Sequence, residues 1–156
     1  MLHVVTGAAG FIGSRLIAAL NQAGITGILA VDDLESSARA KNLFGVEIED
    51  YLDKRDFLTQ LETGRLDGSI EAIMHLGACA DTMETDGRYM MENNYAYSKA
   101  VFDWCQGEEV PLIYASSAAV YGASTAFREE RKFEAPLNVY GYSKFLFDQW
   151  VRRRLA

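Results

Sequence analysis

Cysteine, histidine and proline are scarce in this chain of 156 residues, which contains two of each. Cys79 and Cys105 are too few for a disulfide framework, and neither belongs to a Cys-x-x-Cys pair. We expect both to be free thiols in a reducing compartment. With only two histidines the chain has almost no ligand set for a structural zinc site, and we predict no metal ligand.

Long apolar runs and an excess of positive charge are also absent. No stretch reaches the ~18 apolar residues of a membrane span, and the chain starts on a strand-like run at 2–5 without the features of a secretory signal. Fifteen basic against 22 acidic residues give a net charge of −7, which argues against nucleic acid or a membrane as the main partner. Hydrophobic residues make up 49% of the chain, so length and composition predict one globular domain.

Short apolar runs alternate with helical patterns along the whole chain. The predicted strands are 2–6, 28–31, 46–48, 70–75 and 111–115. The predicted helices are 11–23, 54–61, 86–106 and 140–155, with a helical turn or loop at 36–43 and a polar loop at 123–139. Strands separated by helices imply parallel crossovers, so we predict the α/β class with a doubly wound parallel sheet (a Rossmann fold) in the order 3-2-1-4-5.

A glycine-rich turn, Thr-Gly-Ala-Ala-Gly-Phe-Ile-Gly at 6–13, lies between the first strand and the first helix. Gly7 permits the tight turn, Gly10 lets the backbone approach a pyrophosphate, and Gly13 lets the helix lie close to the strand. The N-terminus of the helix then offers N–H groups to the phosphates. The pattern favours dinucleotide binding, and a glycine-rich connection without a ligand is the alternative.

Asp32 follows the second predicted strand, 19 residues after Gly13. A carboxylate at this point accepts hydrogen bonds from ribose hydroxyls, and it would repel a 2′-phosphate and thus favour NAD. Arg39, Lys41 and Lys54 are close enough in the predicted fold to offset that repulsion and favour NADP. A solvated turn or a helix cap is the alternative role for the carboxylate, and a solvated surface charge for each cation.

Tyr140 and Lys144 are four residues apart in the last predicted helix, so they share one face of it. A nearby ammonium favours the phenolate, which makes Tyr140 a candidate acid/base, and Lys144 can also donate to a ribose. Ser117 follows the fifth predicted strand, where open α/β sheets bind ligands, and its hydroxyl could bond a substrate oxygen. Tyrosine–lysine pairs are common on ordinary helices, so a surface or core role is the alternative.

The glycine-rich turn, Ser-Ser-Ala-Ala-Val-Tyr-Gly at 116–122 and Tyr-x-x-x-Lys together carry a family resemblance. In these motifs the chain resembles the extended short-chain dehydrogenase/reductases over its whole length. The stretches 77–79, 89–95 and 136–148 are similar, more narrowly, to the ADP-L-glycero-D-manno-heptose 6-epimerase family.

This resemblance implies an isomerase that acts on ADP-heptose or a related sugar nucleotide. The hydroxyl-bearing C6 is oxidised to a ketone and reduced again from the other face, so that a tightly held NADP, with NAD also possible, is regenerated. The resemblance also implies a cytoplasmic enzyme that supplies heptose for lipopolysaccharide core. It further implies a homo-oligomer, which is a pentamer in the full-length family.

The resemblance assigns roles residue by residue. Tyr140 is an acid/base, Lys144 holds the ribose and Ser117 helps at the substrate oxygen. Cofactor contacts are implied for Gly7, Gly10, Phe11, Ile12, Gly13, Asp32, Asp33, Arg39, Lys54, Leu76, Gly77, Ala78, Cys79, Ala80, Asn93 and Lys144.

Some features depart from the family pattern. Leu76 stands where an acidic residue is usual, Thr85 replaces a tryptophan, and the loop at 123–135 is one residue short. Ala118 and Ala119 follow Ser117 where the dehydratases of the superfamily carry Asp-Glu, which disfavours dehydration.

The family is also much longer than this chain. We therefore expect residues 1–156 to form an incomplete NAD(P)-binding Rossmann domain without its C-terminal substrate domain and second acid/base, a lysine. Such a chain would be a poor catalyst, with strand five unpaired on one side. In its last helix, the apolar residues would be either exposed or packed in the core; they are Phe145, Phe147, Trp150 and Val151. A non-catalytic dinucleotide-binding fragment and another NAD(P)-dependent sugar-nucleotide epimerase or reductase are the alternatives.

Overall fold

The computed structural model describes residues 1–35 and 37–156, which form five strands and six α-helices. The strands are β1 (Leu2–Thr6), β2 (Ile28–Asp32), β3 (Asp50–Asp53), β4 (Ile70–His75) and β5 (Leu112–Tyr114). The helices are α1 (Phe11–Gln22), α2 (Ser37–Ala40), α3 (Lys54–Glu62), α4 (Gly87–Met90), α5 (Tyr97–Gly107) and α6 (Val139–Leu155). Single turns of 3-10 helix lie at Lys41–Leu43, Ala118–Val120 and Arg131–Phe133, and a π-helical turn lies at Met91–Ala96.

The whole sheet belongs to the first of two compact units, which comprises Met1–Gly77 and Val101–Tyr114. Its strands are all parallel in the order β3-β2-β1-β4-β5, which confirms the predicted fold. Thr6 lies opposite Val31 of β2 on one side and His75 of β4 on the other. The glycine-rich turn therefore starts at the carboxyl edge of the three central strands, where open α/β sheets bind ligands.

The central strands are continuously apolar, as expected for a parallel sheet covered on both faces. Residues 28–31 of β2 are all buried, and so are Val4 and Val5 of β1. Ile17 of α1 packs into the same core cluster as Val5 and Ala30. This packing fixes the position of α1 next to the end of β1, and with it the position of the turn that joins them.

The third strand was predicted at 46–48, and this prediction is wrong. β3 is Asp50–Asp53, which pairs in parallel with β2 from Leu29 to Asp32. Val46 and Ile48 are hydrophobic because they pack as half-buried side chains against the core, without joining the sheet. Ser36, the first residue of the predicted turn or loop at 36–43, lies outside the described residues, and the rest of that segment is helical.

The predicted helix at 86–106 and the predicted strand at 111–115 differ from the structure in detail. Helical conformation extends over 87–107, but it widens to a π-helical turn at Met91–Ala96, which the sequence pattern does not indicate. β5 is shorter than predicted, because Pro111 contributes only its carbonyl, to the N–H of Ile73. Among the described residues β5 pairs with β4 alone, and Ile113 is 65% exposed.

The second compact unit comprises Ala78–Ala100 and Ala115–Ala156. In it, α6 packs against the π-helical turn and against the 3-10 turn at Ala118–Val120. Phe145, Phe147 and Val151 of α6 are buried, so these three are core residues, and Trp150 is half-buried. No helix formed by the described residues is both long and apolar enough to cross a bilayer.

Candidate dinucleotide-binding and tyrosine–lysine sites

Two of the three glycines of the turn are required by the chain itself. Gly7 has φ of +67°, and a Cβ there would lie 2.8 Å from the nitrogen of Gly77. A Cβ at Gly13 would overlap the backbone of Gly7 and lie 2.9 Å from the Cα of Ala8. Both positions therefore exclude any side chain, whether or not a ligand binds.

Gly10 differs from the other two glycines. Its φ of −74° is open to any residue, and a Cβ would meet only the carbonyl oxygen of Gly7, at 3.1 Å. The space beside Gly10 therefore leads out of the turn and not into packed protein. A glycine that the fold does not strictly need is what a backbone requires when a pyrophosphate approaches it.

The N-terminus of α1 has no side-chain cap. Its first residue is preceded by Gly10, no acidic residue lies in the first turn, and Phe11 and Ile12 are 77% and 64% exposed. The first N–H groups of a helix have no partner within the helix, and the helix dipole makes this end positive. The start of α1 can therefore hold an anion, as the glycine pattern predicts.

Asp32, predicted to bind a ribose, is buried and bonded to the protein itself. One carboxylate oxygen, Oδ2, accepts the backbone N–H of Ala9 at 2.8 Å. The other, Oδ1, accepts the N–H of Asp33 at 2.8 Å and a guanidinium N–H of Arg39 at 2.9 Å. Asp32 thus braces the glycine-rich turn, and both of its oxygens are engaged by this chain.

Two cations meet at Asp33. The guanidinium of Arg39 bonds Oδ1 at 2.8 Å, and the ammonium of Lys54 bonds Oδ2 at 2.5 Å. The side chain of Arg39 is 44% exposed and that of Lys54 is 24% exposed, so solvent reaches both. Lys41, the third predicted cation, is exposed. The structure thus brings Asp32, Asp33, Arg39 and Lys54 together.

Tyr51 of β3 also contacts Asp32 in the first unit. Its hydroxyl donates to the backbone oxygen of Asp32 at 2.9 Å. Burial, together with the charges of Asp53 and Asp32, raises the pKa of Tyr51, so it stays protonated and remains a donor. The sequence analysis missed this contact, because Tyr51 lies between the predicted strand at 46–48 and the predicted helix at 54–61.

The backbone after β4 is fixed by a side chain of β1. The hydroxyl oxygen of Thr6 accepts the N–H of Gly77 at 2.9 Å and also bonds Nδ1 of His75 at 2.7 Å. Leu76 and Gly77, both predicted to line a cofactor, therefore lie against the start of the glycine-rich turn in the first unit.

In the second unit, the segment Ala78–Ala80 is held by an asparagine that the sequence analysis missed. Asn94 is 1% exposed, and its amide accepts the N–H of Cys79 at 2.8 Å and donates to the carbonyl of Cys79 at 2.9 Å. The same amide donates to the hydroxyl of Ser143 in α6 at 3.2 Å. The predicted residue, Asn93, is half-buried and donates to the oxygen of Asn94 at 3.1 Å. A polar residue at an interior helical position was the one signal available for Asn94.

α6 begins where its sequence predicts. The side chain of Asn138 caps it by accepting the N–H of Gly141 at 2.8 Å. A Cβ at Gly141 would lie 2.7 Å from the carbonyl oxygen of Ala119, so this glycine allows the helix to approach the turn at 118–120. Tyr140, in the first turn of α6, is half-buried.

Lys144 is buried, with 6% of its surface exposed. Its ammonium donates to the carbonyl of Ala115 at 2.9 Å. Burial lowers the pKa of Lys144, and the nearby charge of Asp148 raises it in part. The lysine therefore holds the segment that leads to Ser117 and remains one helical turn from Tyr140.

Ser117 caps the short turn at Ala118–Val120. Its oxygen accepts the N–H of Ala119 at 3.1 Å, and the side chain is half-buried. An oxygen that accepts this bond still has its proton to donate, which suits the role predicted for the hydroxyl. Tyr140, Lys144 and Ser117 all belong to the second unit. No cluster of His, Cys, Asp and Glu suited to a metal ion occurs within residues 1–35 and 37–156.

Comparisons with known proteins agree along nearly the whole chain. An ADP-L-glycero-D-manno-heptose-6-epimerase from Thiobacillus denitrificans is 62% identical over 153 residues, which is 98% of this chain and 46% of that protein. The crystal structure of the enzyme of the same name from Helicobacter pylori matches with a TM-score of 0.84 and 29% identity, covering 98% of this chain and 51% of that one. A UDP-glucose-4-epimerase from Stenotrophomonas maltophila, solved with bound NAD, matches with a TM-score of 0.80 and 25% identity, covering 99% and 48%.

This chain thus spans about half the length of the relatives it matches. The sequence profile described as "NAD dependent epimerase/dehydratase family" matches residues 3–155. Since that match includes both the glycine-rich turn and the tyrosine–lysine pair, the chain belongs to the NAD dependent epimerase/dehydratase family.

Proposed function

We propose that this chain is the dinucleotide-binding part of an epimerase that converts ADP-D-glycero-D-manno-heptose to its L-glycero form at C6. The observation that carries the proposal is the 62% identity, over 98% of this chain, to a protein named as an ADP-L-glycero-D-manno-heptose-6-epimerase. The second unit supports it, because Tyr140 and Lys144 share one face of α6 at the spacing that a lysine-assisted acid/base needs. Such an enzyme supplies heptose for lipopolysaccharide core.

The first unit fits a dinucleotide. The space beside Gly10 and the uncapped start of α1 suit a pyrophosphate, since backbone N–H groups and a helix dipole both favour its charge. Phe11 and Ile12, exposed in the first helical turn, lie where they would contact that group. Ala78, Cys79 and Ala80 are assigned to the same cofactor on the family resemblance, as is Asn93.

The cations at Asp33 favour NADP over NAD. Both oxygens of Asp32 are already bonded within the chain, one of them to Arg39, so this carboxylate is less available to the ribose hydroxyls that NAD presents. Arg39 and Lys54 are solvent-accessible cations, and a guanidinium beside an ammonium donates strong, charge-assisted hydrogen bonds to a phosphate. We therefore assign the adenosine end of the cofactor to these residues, which would hold its 2′-phosphate.

When bound, NADP supplies the oxidation of the C6 alcohol and the reduction of the resulting ketone. Tyr140 would accept the proton of the C6 hydroxyl as that alcohol is oxidised, and the second acid/base, outside residues 1–156, would supply the proton when the ketone is reduced from the other face. Lys144 lies one helical turn away on the same face of α6, and its ammonium would hold a ribose of the cofactor. Ser117 donates its hydroxyl proton to the same substrate oxygen and so fixes its position.

The proposal is tested on the protein purified at its natural length and supplied with NADP. With ADP-D-glycero-D-manno-heptose as substrate, we expect NMR to show inversion at C6 without net formation of reduced cofactor, because each oxidation is followed by a reduction. A panel of UDP-sugars is the control and should not react. Turnover of a UDP-sugar in place of the ADP-heptose, or cofactor binding without any turnover, would contradict the proposal.

Location and assembly follow from the same proposal. The free thiols of Cys79 and Cys105 suit a reducing compartment, so we assign the protein to the cytoplasm. We propose a homo-oligomer, a pentamer as in the full-length family, with residues 1–156 as its NAD(P)-binding Rossmann domain and a substrate domain outside that range.

A further inference from the structure

The acidic residue of α6, Asp148, lies next to the tyrosine–lysine pair. Asp148 is four residues after Lys144, so the two share one face of the helix. Asp148 is 7% exposed and Lys144 is 6% exposed. Two opposite charges are thus buried on one helix face, one turn apart.

Both residues bind the short segment that leads to Ser117. The ammonium of Lys144 donates to the carbonyl of Ala115 at 2.9 Å. The carboxylate of Asp148 accepts the hydroxyl of Ser116 at 2.6 Å through Oδ2. Ala115 and Ser116 are therefore hydrogen-bonded to consecutive turns of α6. They immediately precede Ser117, which is assigned to the substrate oxygen.

The charge of Asp148 acts on Lys144. Burial lowers the pKa of Lys144, because an ammonium without water is unfavourable, and the negative charge of Asp148 opposes this effect. Within the described part of the chain, Asp148 is the charged group whose field shifts the titration of Lys144.

Glu134, another buried carboxylate of the second unit, has a different role from Asp148. Glu134 accepts both guanidinium nitrogens of Arg152 and the side-chain amide of Gln149. This ion pair connects the loop at 123–138 to the C-terminal half of α6, which is a structural task. Asp148 accepts the hydroxyl of Ser116, and its charge bears on the lysine of the candidate site.

We propose that Asp148 is a positioning residue of the tyrosine–lysine site: anchored by the hydroxyl of Ser116, its carboxylate keeps Lys144 an ammonium and fixes the segment that carries Ser117. The inference rests on the proposed function, because it takes Lys144 as the cation that assists Tyr140. Asp148 itself is not placed in contact with substrate or cofactor.

The first test measures Lys144 directly and needs no substrate. The side-chain ammonium is titrated by NMR in chains labelled at the lysine side-chain ε-carbon, with Lys144→Arg used to assign the signal. Asp148→Asn keeps the shape of the side chain and can still accept from Ser116, but it removes the charge. We expect this variant to lower the pKa of Lys144 further, and Asp148→Glu to bring it back towards the original value.

Glu134→Gln is the matched control, because it also turns a buried carboxylate of the second unit into an amide. It should lower the melting temperature and leave the titration of Lys144 unchanged. If Asp148→Asn does not fold, Ser116→Ala replaces it in the test. This variant removes the hydrogen bond to Asp148 by changing Ser116, which is exposed. We expect Ser116→Ala to shift the Lys144 titration in the same direction but less. An unchanged titration in Asp148→Asn, or in Ser116→Ala as its substitute, overturns the proposal.

The second test uses the protein at its natural length. Asp148→Asn should lower kcat and move the alkaline limb of the pH–rate profile, while KM and the affinity for NADP stay within about twofold, a change worth under 1 kcal/mol. A purely structural role would instead lower the amount of folded enzyme and leave the pH profile in place, and that result contradicts the inference. If the unsubstituted protein turns over no sugar nucleotide, the proposed function fails, whereas the lysine titration still decides the role of Asp148.

Discussion

The carboxylate of Asp32, at the end of β2, accepts the backbone N–H of Ala9 in the glycine-rich turn at 2.8 Å. This bond joins two features that the sequence shows separately, a phosphate-binding turn and an acidic residue 19 positions further on from Gly13. The acidic residue therefore has a use within the protein, since it stabilises the turn whichever cofactor binds.

The first prediction concerns the stability of that turn. Asp32→Ala should lower the free energy of unfolding by about 1–3 kcal/mol, because the buried N–H of Ala9 loses its acceptor. Urea unfolding followed by circular dichroism measures the change. Glu62→Ala, at the exposed end of α3, serves as the control and should stay within about 0.5 kcal/mol. Equal stability of Asp32→Ala and the original chain would show that the bond between Asp32 and Ala9 does not stabilise the fold.

The second prediction concerns cofactor choice. Arg39→Gln and Lys54→Gln should each weaken NADP binding on the order of tenfold to a hundredfold, since a charge-assisted bond contributes about 1.5–3 kcal/mol. NAD binding should change much less, because NAD has no 2′-phosphate. Isothermal titration calorimetry with both cofactors measures the difference, and Arg55→Gln, an exposed neighbouring cation, is the control. Equal losses for NADP and NAD would remove these residues from the 2′-phosphate site.

The third prediction distinguishes Gly10, which is assigned to the cofactor, from Gly13, which the fold itself requires. Gly10→Val should lose dinucleotide binding, because its side chain fills the space assigned to the pyrophosphate, while its Cβ has one close protein neighbour, the carbonyl oxygen of Gly7 at 3.1 Å. Gly45→Val is the matched control, since a Cβ at Gly45 has no neighbour within 4 Å. Gly13→Ala should fail to fold stably, since its Cβ overlaps backbone. Normal cofactor affinity in Gly10→Val would make the turn assignment wrong.

The fourth prediction concerns the acid/base. In the protein at its natural length, Tyr140→Phe should abolish epimerisation and leave the affinity for NADP unchanged, since only the proton-carrying oxygen is lost. Tyr142→Phe, an exposed tyrosine of the same helix, should retain activity. Turnover is followed by NMR of the sugar product. Undiminished turnover in Tyr140→Phe would exclude this residue from the mechanism.

The fifth prediction concerns two neighbouring asparagines. Asn94→Ala should lower the free energy of unfolding by about 1–3 kcal/mol, because the N–H and carbonyl of Cys79 lose a buried partner. Asn93→Ala should have a smaller effect, as its amide is only half-buried. Chemical unfolding of the two variants side by side measures this order. The reverse order would show that Asn94 does not hold the segment at Ala78–Ala80.

Much of the fold was predictable because alternating strands and helices leave few topologies for a parallel sheet. Val4, Val5 and the run at 28–31 are apolar on both faces, which identifies central strands without further information. The third strand was misplaced because Val46 and Ile48 are apolar for packing and not for pairing, whereas β3 is an edge strand with acidic ends. Hydrophobic periodicity cannot separate these two uses of the same residue types.

The candidate sites were predictable to the extent that they lie in local motifs. The spacing within the glycine-rich turn and between Tyr140 and Lys144 indicates that each set of residues lies together, because the turn and the helix fix their geometry. Asn94 and Asp148 could not be found in that way. Their roles depend on contacts with Cys79 and Ser116, which are 15 and 32 residues away along the chain.

Calorimetric titration of the purified, nucleotide-stripped chain with NADP and NAD, with gel filtration alongside, shows whether this chain forms a dinucleotide site. We expect the chain to bind both cofactors and to bind NADP more tightly, because Arg39 and Lys54 supply two accessible cations at the adenosine end. A folded, monodisperse chain that binds neither cofactor, or that prefers NAD, would contradict this expectation.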